Sequence, residues 1–200
     1  MRNIPLADVD HVARPVVAIG TDYSPGTLLD FHTHRRAQFL YGMTGLMEVD
    51  TDDGTWVVPP YSGVWLPAGK RHRVRMNGVS TRSLYIEPVA APRPSPGCEV
   101  LVVSPLLHHL LLASANMPAL YDESGRDGAL AQLMLHELQT IFDGYCLLEL
   151  QRGGSGTFFS LRRWLQFCLH CGLLAPTVGF ASLQRIYIEA PHVAWVATSM

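Results

Sequence analysis

The first half of the chain carries short hydrophobic stretches separated by turn residues. In residues 71–76, three arginines alternate strictly with a histidine, a valine and a methionine. Side chains two positions apart share one face of a β-strand, so this segment predicts a strand with an internal face and an arginine-bearing outer face. Comparable segments recur over residues 16–86, and Asp-Asp-Gly at residues 52–54 predicts a hairpin turn between two of them. The pattern is typical of a small sandwich or barrel.

The pattern changes after a proline-rich strap at residues 90–97, beyond which apolar residues recur every three or four positions, as in amphipathic helices. Ser104-Pro105 is a typical N-cap and first-turn pair, and it predicts a helix to about Met117. Ser124 or Asp127 can cap a second helix. The apolar stripe of that helix is predicted to contain Leu130, Leu133, Met134, Leu138 and Ile141. Two such helices in succession favour antiparallel packing, and their remaining apolar surface predicts a homodimer interface.

From about residue 142 the chain shows neither a clean helical stripe nor clear caps. Three of the four cysteines lie in this part, together with a glycine-rich segment and few charged residues. Local signals that disagree with one another indicate a poorly specified fold. The sequence therefore predicts an α+β fold in three parts: a β-barrel over residues 1–90, a proline strap with two dimerising helices over residues 91–141, and an atypical tail over residues 142–200.

Composition and charge narrow the class of protein. The 200 residues carry a formal net charge of −2, which gives no bulk attraction to nucleic acid or to anionic membranes. The first ten residues lack the pattern of a secretion signal, and histidines or arginines interrupt the most apolar helical segments. Four cysteines without paired spacing favour a reducing compartment. We expect a globular, cytoplasmic protein without a membrane partner.

Three histidines and a glutamine form the candidate functional site. His32 and His34 lie two residues apart on an extended segment, so both imidazoles are expected on one face. Gln38 follows them, and His72 arrives from a later strand after a turn that contains proline and glycine. These four side chains are expected to build one internal polar site within the barrel.

The residues leave three interpretations of this site open. Neutral imidazoles suit a divalent zinc, iron, nickel or copper ion, and the metal interpretation takes the three histidines and Gln38 as ligands. The amide of Gln38 supplies no negative charge, so the ion would be held less tightly than by a carboxylate. The pocket interpretation has the same side chains hydrogen-bond a small molecule without metal, with Tyr41 and Trp65 lining the cavity. In the structural interpretation these polar groups satisfy one another and bind nothing.

The spacing of these residues resembles that of the two cupin motifs. The first motif reads Gly26-x5-His32-x-His34-x3-Gln38-x6-Gly45, and the second reads Pro67-x-Gly69-x2-His72. Gln38 stands where cupins usually have a glutamate. The resemblance implies a double-stranded β-helix, in which a metal site and a metal-free pocket are both found.

A longer part of the chain resembles the N-terminal sensing domain of AraC-type transcriptional regulators. The run from His32 to Pro88, the Ser104-Pro105-Leu106-Leu107 helix start and the segment LAQLMLHELQ carry the likeness, which covers about residues 10–140. It implies a cupin barrel that senses a small-molecule effector, two helices that dimerise, and a separate C-terminal domain with two helix-turn-helix units that bind DNA. That family does not require a metal at the cupin positions.

The tail departs from the AraC-type pattern. Residues 178–189 echo the second helix-turn-helix unit, but a β-like segment follows them, and the cations that would contact phosphates and bases are sparse. We hypothesise that the coding frame changed near residue 140, which leaves the DNA-binding part missing or non-functional. DNA is then expected as a partner only if the tail functions.

The sequence favours a sensor over an enzyme. The first hypothesis is the sensing and dimerisation domain of an AraC-type transcriptional regulator. The alternative is a small metal-dependent cupin enzyme of dioxygenase or isomerase type, in which the ion acts as a Lewis acid. No well-placed acid–base carboxylate accompanies the motifs. Asp30 is nearby, but alternation puts it on the same face as His32 and it has no assigned role. This absence disfavours the enzyme. A third hypothesis is a structural dimerisation module that binds neither metal nor effector.

Overall fold

Two antiparallel sheets and two helices make up the described part of the chain. The computed structural model describes residues 3–92 and 97–150, with side chains in the last helix described as far as residue 143. The strands are β1 (Val16–Asp22), β2 (Thr27–His32), β3 (Ala37–Gly42), β4 (Leu46–Thr51), β5 (Gly54–Val58), β6 (Ser62–Leu66), β7 (His72–Asn77), β8 (Ser80–Ile86) and β9 (Glu99–Val102). The helices are α1 (Pro105–Ser114) and α2 (Arg126–Leu150), and single 3-10 turns occur at Leu6–Asp8 and Pro88–Ala90.

The two sheets pack face to face around an apolar interior. One sheet has the strand order β1-β8-β3-β6-β9, and the other has the order β2-β7-β4-β5. Leu40 and Val64 from the first sheet meet Met47, Val49 and Val74 from the second in one buried cluster. The predicted α+β class, with a small cupin-type barrel followed by two helices, is confirmed.

Strand β3 is buried on both faces because the helices cover the outer side of its sheet. Its residue Leu40 points into the barrel, whereas Phe39 and Tyr41 belong to a second cluster that includes Leu107 of α1 and Met134 of α2. Strand alternation explains this division, since neighbouring residues point to opposite faces. The helices therefore complete the core of the domain and are not an appendage.

Helix α1 begins at its predicted cap, whereas α2 begins at Arg126, so that the predicted cap Asp127 lies inside its first turn and Ser124 lies outside the helix. Ser104 caps α1 by accepting a hydrogen bond from the backbone N–H of Leu107 at 3.0 Å. The Ser104 hydroxyl donates to Glu137 in α2 at 2.9 Å, as expected if the two helices run antiparallel. In the described residues, neither helix is long and apolar enough to cross a membrane.

Four details differ from the sequence predictions. Leu133 was assigned to the buried stripe of α2 but is 40% exposed, and Phe142 is buried on that helix instead. Helix α2 continues across residue 142 to Leu150, and β9 is a strand that the sequence analysis did not identify. Residues 93–96 of the proline strap and the tail from residue 151 lie outside the described residues, so the predictions for them stay predictions.

The outer face of the second sheet follows the predicted alternation. In β7, His72, Val74 and Met76 are buried, and the intervening arginines are not. Arg73 pairs with Asp50 at 2.7 Å, an ion pair across to the neighbouring strand β4. The hairpin between β4 and β5 also forms at residues 52–54, as predicted.

Candidate functional site

The three histidines of the motifs converge at one end of the barrel. His32 ends β2 and is paired in register with His72, the first residue of β7, while His34 lies in the loop between β2 and β3. Their ring centroids are separated by 4.3 Å (His32–His72), 5.1 Å (His34–His72) and 6.1 Å (His32–His34). One ring nitrogen from each histidine lies within 4.8 Å of the other two. The three predicted histidines therefore come together, but His34 lies beyond the end of β2 and His32 is exposed, so they do not form the internal site on one strand face that the sequence predicts.

Two motif glycines shape the turns around this cluster. Gly69 adopts a φ of +75° in the turn before β7, and its N–H donates to the carbonyl of His34 at 2.9 Å. Gly45 has a φ of +69°, and a Cβ atom there would lie 2.4 Å from the carbonyl oxygens of Asn77 and Gly78. Both positions favour glycine because other residues are strained at positive φ.

Each histidine is held by a backbone carbonyl two residues away. A carbonyl oxygen only accepts hydrogen bonds, so each Nδ1 carries the hydrogen, and the Nε2 atom of a neutral ring keeps its lone pair. The three bonds join His32 to Asp30 at 2.7 Å, His34 to Arg36 at 2.7 Å and His72 to Lys70 at 2.8 Å. Histidines that bind metals are commonly oriented in this way. The backbone thus fixes the tautomer in which Nε2 is available to a ligand.

Burial keeps two of the rings neutral. Burial lowers the pKa of His72 to about 4, and it also lowers the pKa of His34. The Nε2 atom of His72 is buried without a hydrogen-bond partner among the described residues. Because an unpaired buried polar atom is costly, a ligand at this atom would relieve the cost.

Gln38 faces His34 in an arrangement that suits a cation. The Gln38 Oε1 atom lies 3.0 Å from His34 Nε2, and the Gln38 amide nitrogen donates to the hydroxyls of Ser83 at 3.2 Å and Tyr85 at 3.1 Å. In the neutral ring both facing atoms are acceptors, so the contact is satisfied either by a cation between them or by rotation of the amide. Half a turn of the amide would relieve the contact without a cation, because the two hydroxyls can donate to the oxygen instead. Gln38 can therefore serve an ion-bound and an ion-free state.

A cavity of about 640 Å³ opens beside the exposed side of the histidine cluster. His32 and His34 line it together with Tyr85, and residues around Leu6 and Asp10 in the N-terminal segment form its opposite wall. The volume falls within the range of small-molecule sites in proteins. The site therefore has room for a ligand next to the available imidazole nitrogens.

Two adjacent arginines hold the N-terminal wall of this cavity. Arg36 is fully buried and pairs with Asp10 at 3.1 Å and with Glu87 at 2.8 Å, and it also donates to the carbonyls of Val12 and Arg14. Arg35 binds the other oxygen of Asp10 at 3.0 Å and both oxygens of Glu87. We call Arg35 and Arg36 with their partners Asp10 and Glu87 the arginine clamp. The sequence analysis missed it, and its only signal in the sequence is the pair of arginines directly after His34.

The structure does not bring Tyr41 and Trp65 into the cavity, which corrects the expectation that they line it. Both side chains point to the helical side of their sheet. The Tyr41 hydroxyl is hydrogen-bonded to His108 of α1 at 2.7 Å, and the Trp65 ring packs against Phe142 of α2 at a centroid distance of 5.4 Å. The physical reason is strand alternation. Tyr41 lies three positions after Gln38 on β3, so the two side chains point to opposite faces of the sheet, and the face of Tyr41 is the one that the helices cover.

Comparisons with known proteins place the chain in a family. The family model described as the AraC-like ligand binding domain matches residues 14–138. The HTH-type transcriptional regulator NimR of Escherichia coli (strain K12) is 31% identical over 108 residues, which are 54% of this chain and 39% of that protein. The match thus spans well under half the length of this curated relative.

The solved structures that resemble the chain do so at low sequence identity and low TM-score. Oxalate decarboxylase from Bacillus subtilis is 15% identical, with a TM-score of 0.35, over 42% of this chain and 24% of that chain. A conserved protein of unknown function from Streptococcus pyogenes is 19% identical, with a TM-score of 0.32, over 36% of this chain and 63% of that chain. The match to the family model covers more than half of the sequence, and the chain therefore belongs to the family of AraC-like ligand-binding domains.

Proposed function

We propose that the chain is the effector-sensing part of an AraC-type transcriptional regulator, and that the effector binds in the cavity beside the histidine cluster. The observation that carries this proposal is the set of three pre-oriented imidazoles next to the cavity of about 640 Å³. A regulator of transcription acts where the DNA is, so the proposal includes a cytoplasmic location. It assigns no catalytic role, because the cavity carboxylate of Asp10 is paired with two arginines.

We further propose that His32, His34 and His72 hold one divalent transition-metal ion through their Nε2 atoms, with Gln38 as a fourth ligand. The orphaned Nε2 of His72 and the facing acceptors of His34 and Gln38 support this assignment. Zinc, iron, nickel and copper all accept imidazole ligands. When bound, the ion would supply a Lewis-acidic anchor for the effector. The chain's own residues orient the imidazoles and confine the ligand between the N-terminal segment and the barrel.

A continuous set of contacts leads from the cavity wall to the helices. Arg36 fixes residues 10–14, and Arg14 at the end of this segment donates to the carbonyl of Tyr121 at 2.7 Å and pairs with Glu123 at 3.2 Å. These two residues belong to the connection between α1 and α2. An effector that shifts the wall would therefore act on the helix connection, as a sensor requires.

The proposal includes a homodimer formed through the two helices. Leu106 of α1 is 48% exposed and Leu133 of α2 is 40% exposed, which leaves apolar surface on both elements. Sedimentation of the chain tests this part, since Leu133→Glu should shift a dimer toward monomers, whereas Gln132→Glu on the same helix should not.

The proposal assigns no DNA contact to the described residues, in which the arginines of β7 and the one just before it are paired with acidic residues of the neighbouring β-hairpin. The sequence of residues 142–200 does not show the helix-turn-helix pattern, so we propose that DNA binding by this chain is absent or impaired. Tight, sequence-specific binding in a gel-shift assay would contradict this part and leave the sensing proposal intact.

Hydrogen exchange tests the sensing proposal as a whole. We expect Zn²⁺ to slow amide exchange in residues 6–14 and also in residues 119–125, because the clamp connects them. The variant His34→Ala should show neither effect, and His109→Ala, an exposed histidine of α1, should behave as the wild type. Slowed exchange at the histidines alone would contradict a sensor that reports to the helices.

A further inference from the structure

The histidine site contains no negatively charged donor. Among the described residues, one group of three or more histidine, cysteine, aspartate or glutamate side chains could hold a metal ion, and it consists of histidines alone. The fourth side chain at this site is the neutral amide of Gln38, next to His34. Asp10 lines the adjacent cavity, but its two carboxylate oxygens are bound to Arg35 and Arg36. Glu87 is bound to the same two arginines. Both carboxylates are therefore neutralised by partners other than an ion at the histidines.

A divalent ion at this site would keep its full charge. His72 is completely buried, His34 is partly buried and His32 is exposed, so the ion would be shielded from water on the side of His72 and open toward the cavity. A charge in such surroundings is costly unless an opposite charge is close to it. Only a ligand that enters from the cavity can bring that charge, since the protein donors are already in place.

The cavity presents suitable groups for such a ligand. Arg35 lines it and remains 47% exposed although it is paired with Asp10 and Glu87, and Tyr85 lines it as well. Leu6 and Ala7 on the opposite wall are apolar. The arrangement fits a small molecule with a negatively charged oxygen group at one end and a short apolar body at the other.

We propose that the effector is a small carboxylate, which completes the shell of the bound metal ion and supplies the negative charge that Gln38 does not. This inference rests on the proposed metal site and deepens it, because it names the chemical class of the ligand. Gln38 thereby acts as a residue that determines specificity: a glutamate at this position would satisfy the ion from within the protein and weaken its attraction for an anion.

A pair of probes of equal shape tests this inference. The full chain is loaded with Co²⁺ in a buffer without carboxylate or phosphate, and it is titrated with benzoate and with benzamide. Calorimetry gives the affinities, and the visible absorption of Co²⁺ reports a change in its ligands. Benzoate should bind about tenfold or more tightly than benzamide and change the spectrum, because only benzoate is charged. Benzoate should lose this advantage on the chain without metal.

The variant Gln38→Glu gives a second test, with Gln132→Glu as the control that adds the same charge on the exposed face of α2. We expect Gln38→Glu to bind Co²⁺ more tightly than the wild type and benzoate about tenfold more weakly. The control should match the wild type in both respects, and circular dichroism checks that all variants are folded.

The outcomes separate the two proposals. If the wild-type chain binds no Co²⁺, the metal site and the carboxylate inference both fail. If it binds Co²⁺ but does not distinguish benzoate from benzamide, the metal site stands and the carboxylate inference is overturned. If Gln38→Glu binds benzoate as well as the wild type does, the role assigned to Gln38 is wrong.

Discussion

Replacing Arg36 by methionine is expected to destabilise the protein far more than the same change at Arg35. The two residues are adjacent and share Asp10 and Glu87 as partners. They differ in burial, since the Arg36 side chain is 0% exposed and the Arg35 side chain is 47% exposed. Methionine retains much of the aliphatic stem, so the comparison isolates the guanidinium group.

The size of the effect follows from this difference in burial. Removing one partner of a buried ion pair costs about 3–5 kcal/mol, and without Arg36 the carboxylates of Asp10 and Glu87 keep only the half-exposed Arg35 as a partner. The carbonyls of Val12 and Arg14 also lose donors from Arg36. An exposed ion pair contributes about 0–1 kcal/mol. For a chain of this size these free energies correspond to a loss of roughly 6–20 °C in Tm for Arg36→Met and less than about 4 °C for Arg35→Met.

Urea unfolding followed by circular dichroism measures both free energies, and thermal unfolding gives the Tm values. Arg36→Lys should fall between Arg36→Met and the wild type, because it keeps the charge but loses the planar donor fork. Equal losses in Arg35→Met and Arg36→Met would refute the reasoning, since they would show that burial of the clamp does not control its contribution.

Three further outcomes follow from the packing of the helices and the titration of one tyrosine. Trp65→Ala should cost about 3–5 kcal/mol in urea unfolding, yet leave Co²⁺ binding unchanged, because its ring lies on the helical side of the sheet. Ser104→Ala should cost about 1 kcal/mol through loss of the α1 cap, whereas Ser124→Ala outside a helix should cost much less. Burial raises the pKa of Tyr41 to about 12 from its ordinary value of 10.0, so its contribution to stability is complete below pH 10 and is lost as the pH rises toward 12. A difference absorbance titration against Tyr41→Phe checks this value, and ionisation near pH 10 in the folded protein would contradict it.

The sequence predicts the local parts of the site well, because they depend on short-range periodicity. Alternation in residues 71–76 places His72 on the internal face of β7, whereas His32 and His34 reach the same cluster from the end of β2 and the loop after it, which strand alternation does not predict. The cap of α1 is equally local, because the Ser104 hydroxyl accepts its hydrogen bond from the N–H of Leu107, three residues later.

The rest of the site depends on contacts between distant residues. In the sequence Arg36 resembles the other surface cations, and only the fold brings to it Asp10, which precedes β1, and Glu87, which follows β8. The sequence cannot separate cavity lining from core packing for Tyr41 and Trp65, because aromatic residues suit both a pocket and a core. Only the position of the helices reveals which face of the sheet they occupy.

The metal content of the purified protein tests the central claim most directly. The full chain is purified without chelator and analysed by inductively coupled plasma mass spectrometry beside His72→Ala and the exposed-histidine control His109→Ala. The account predicts about one transition-metal ion per chain in the wild type and the control, and loss of that ion in His72→Ala, because the buried Nε2 of His72 is one of the four proposed ligands. A wild-type protein without metal that also fails to take up added Zn²⁺, or a His72→Ala variant that retains the ion, would contradict the account.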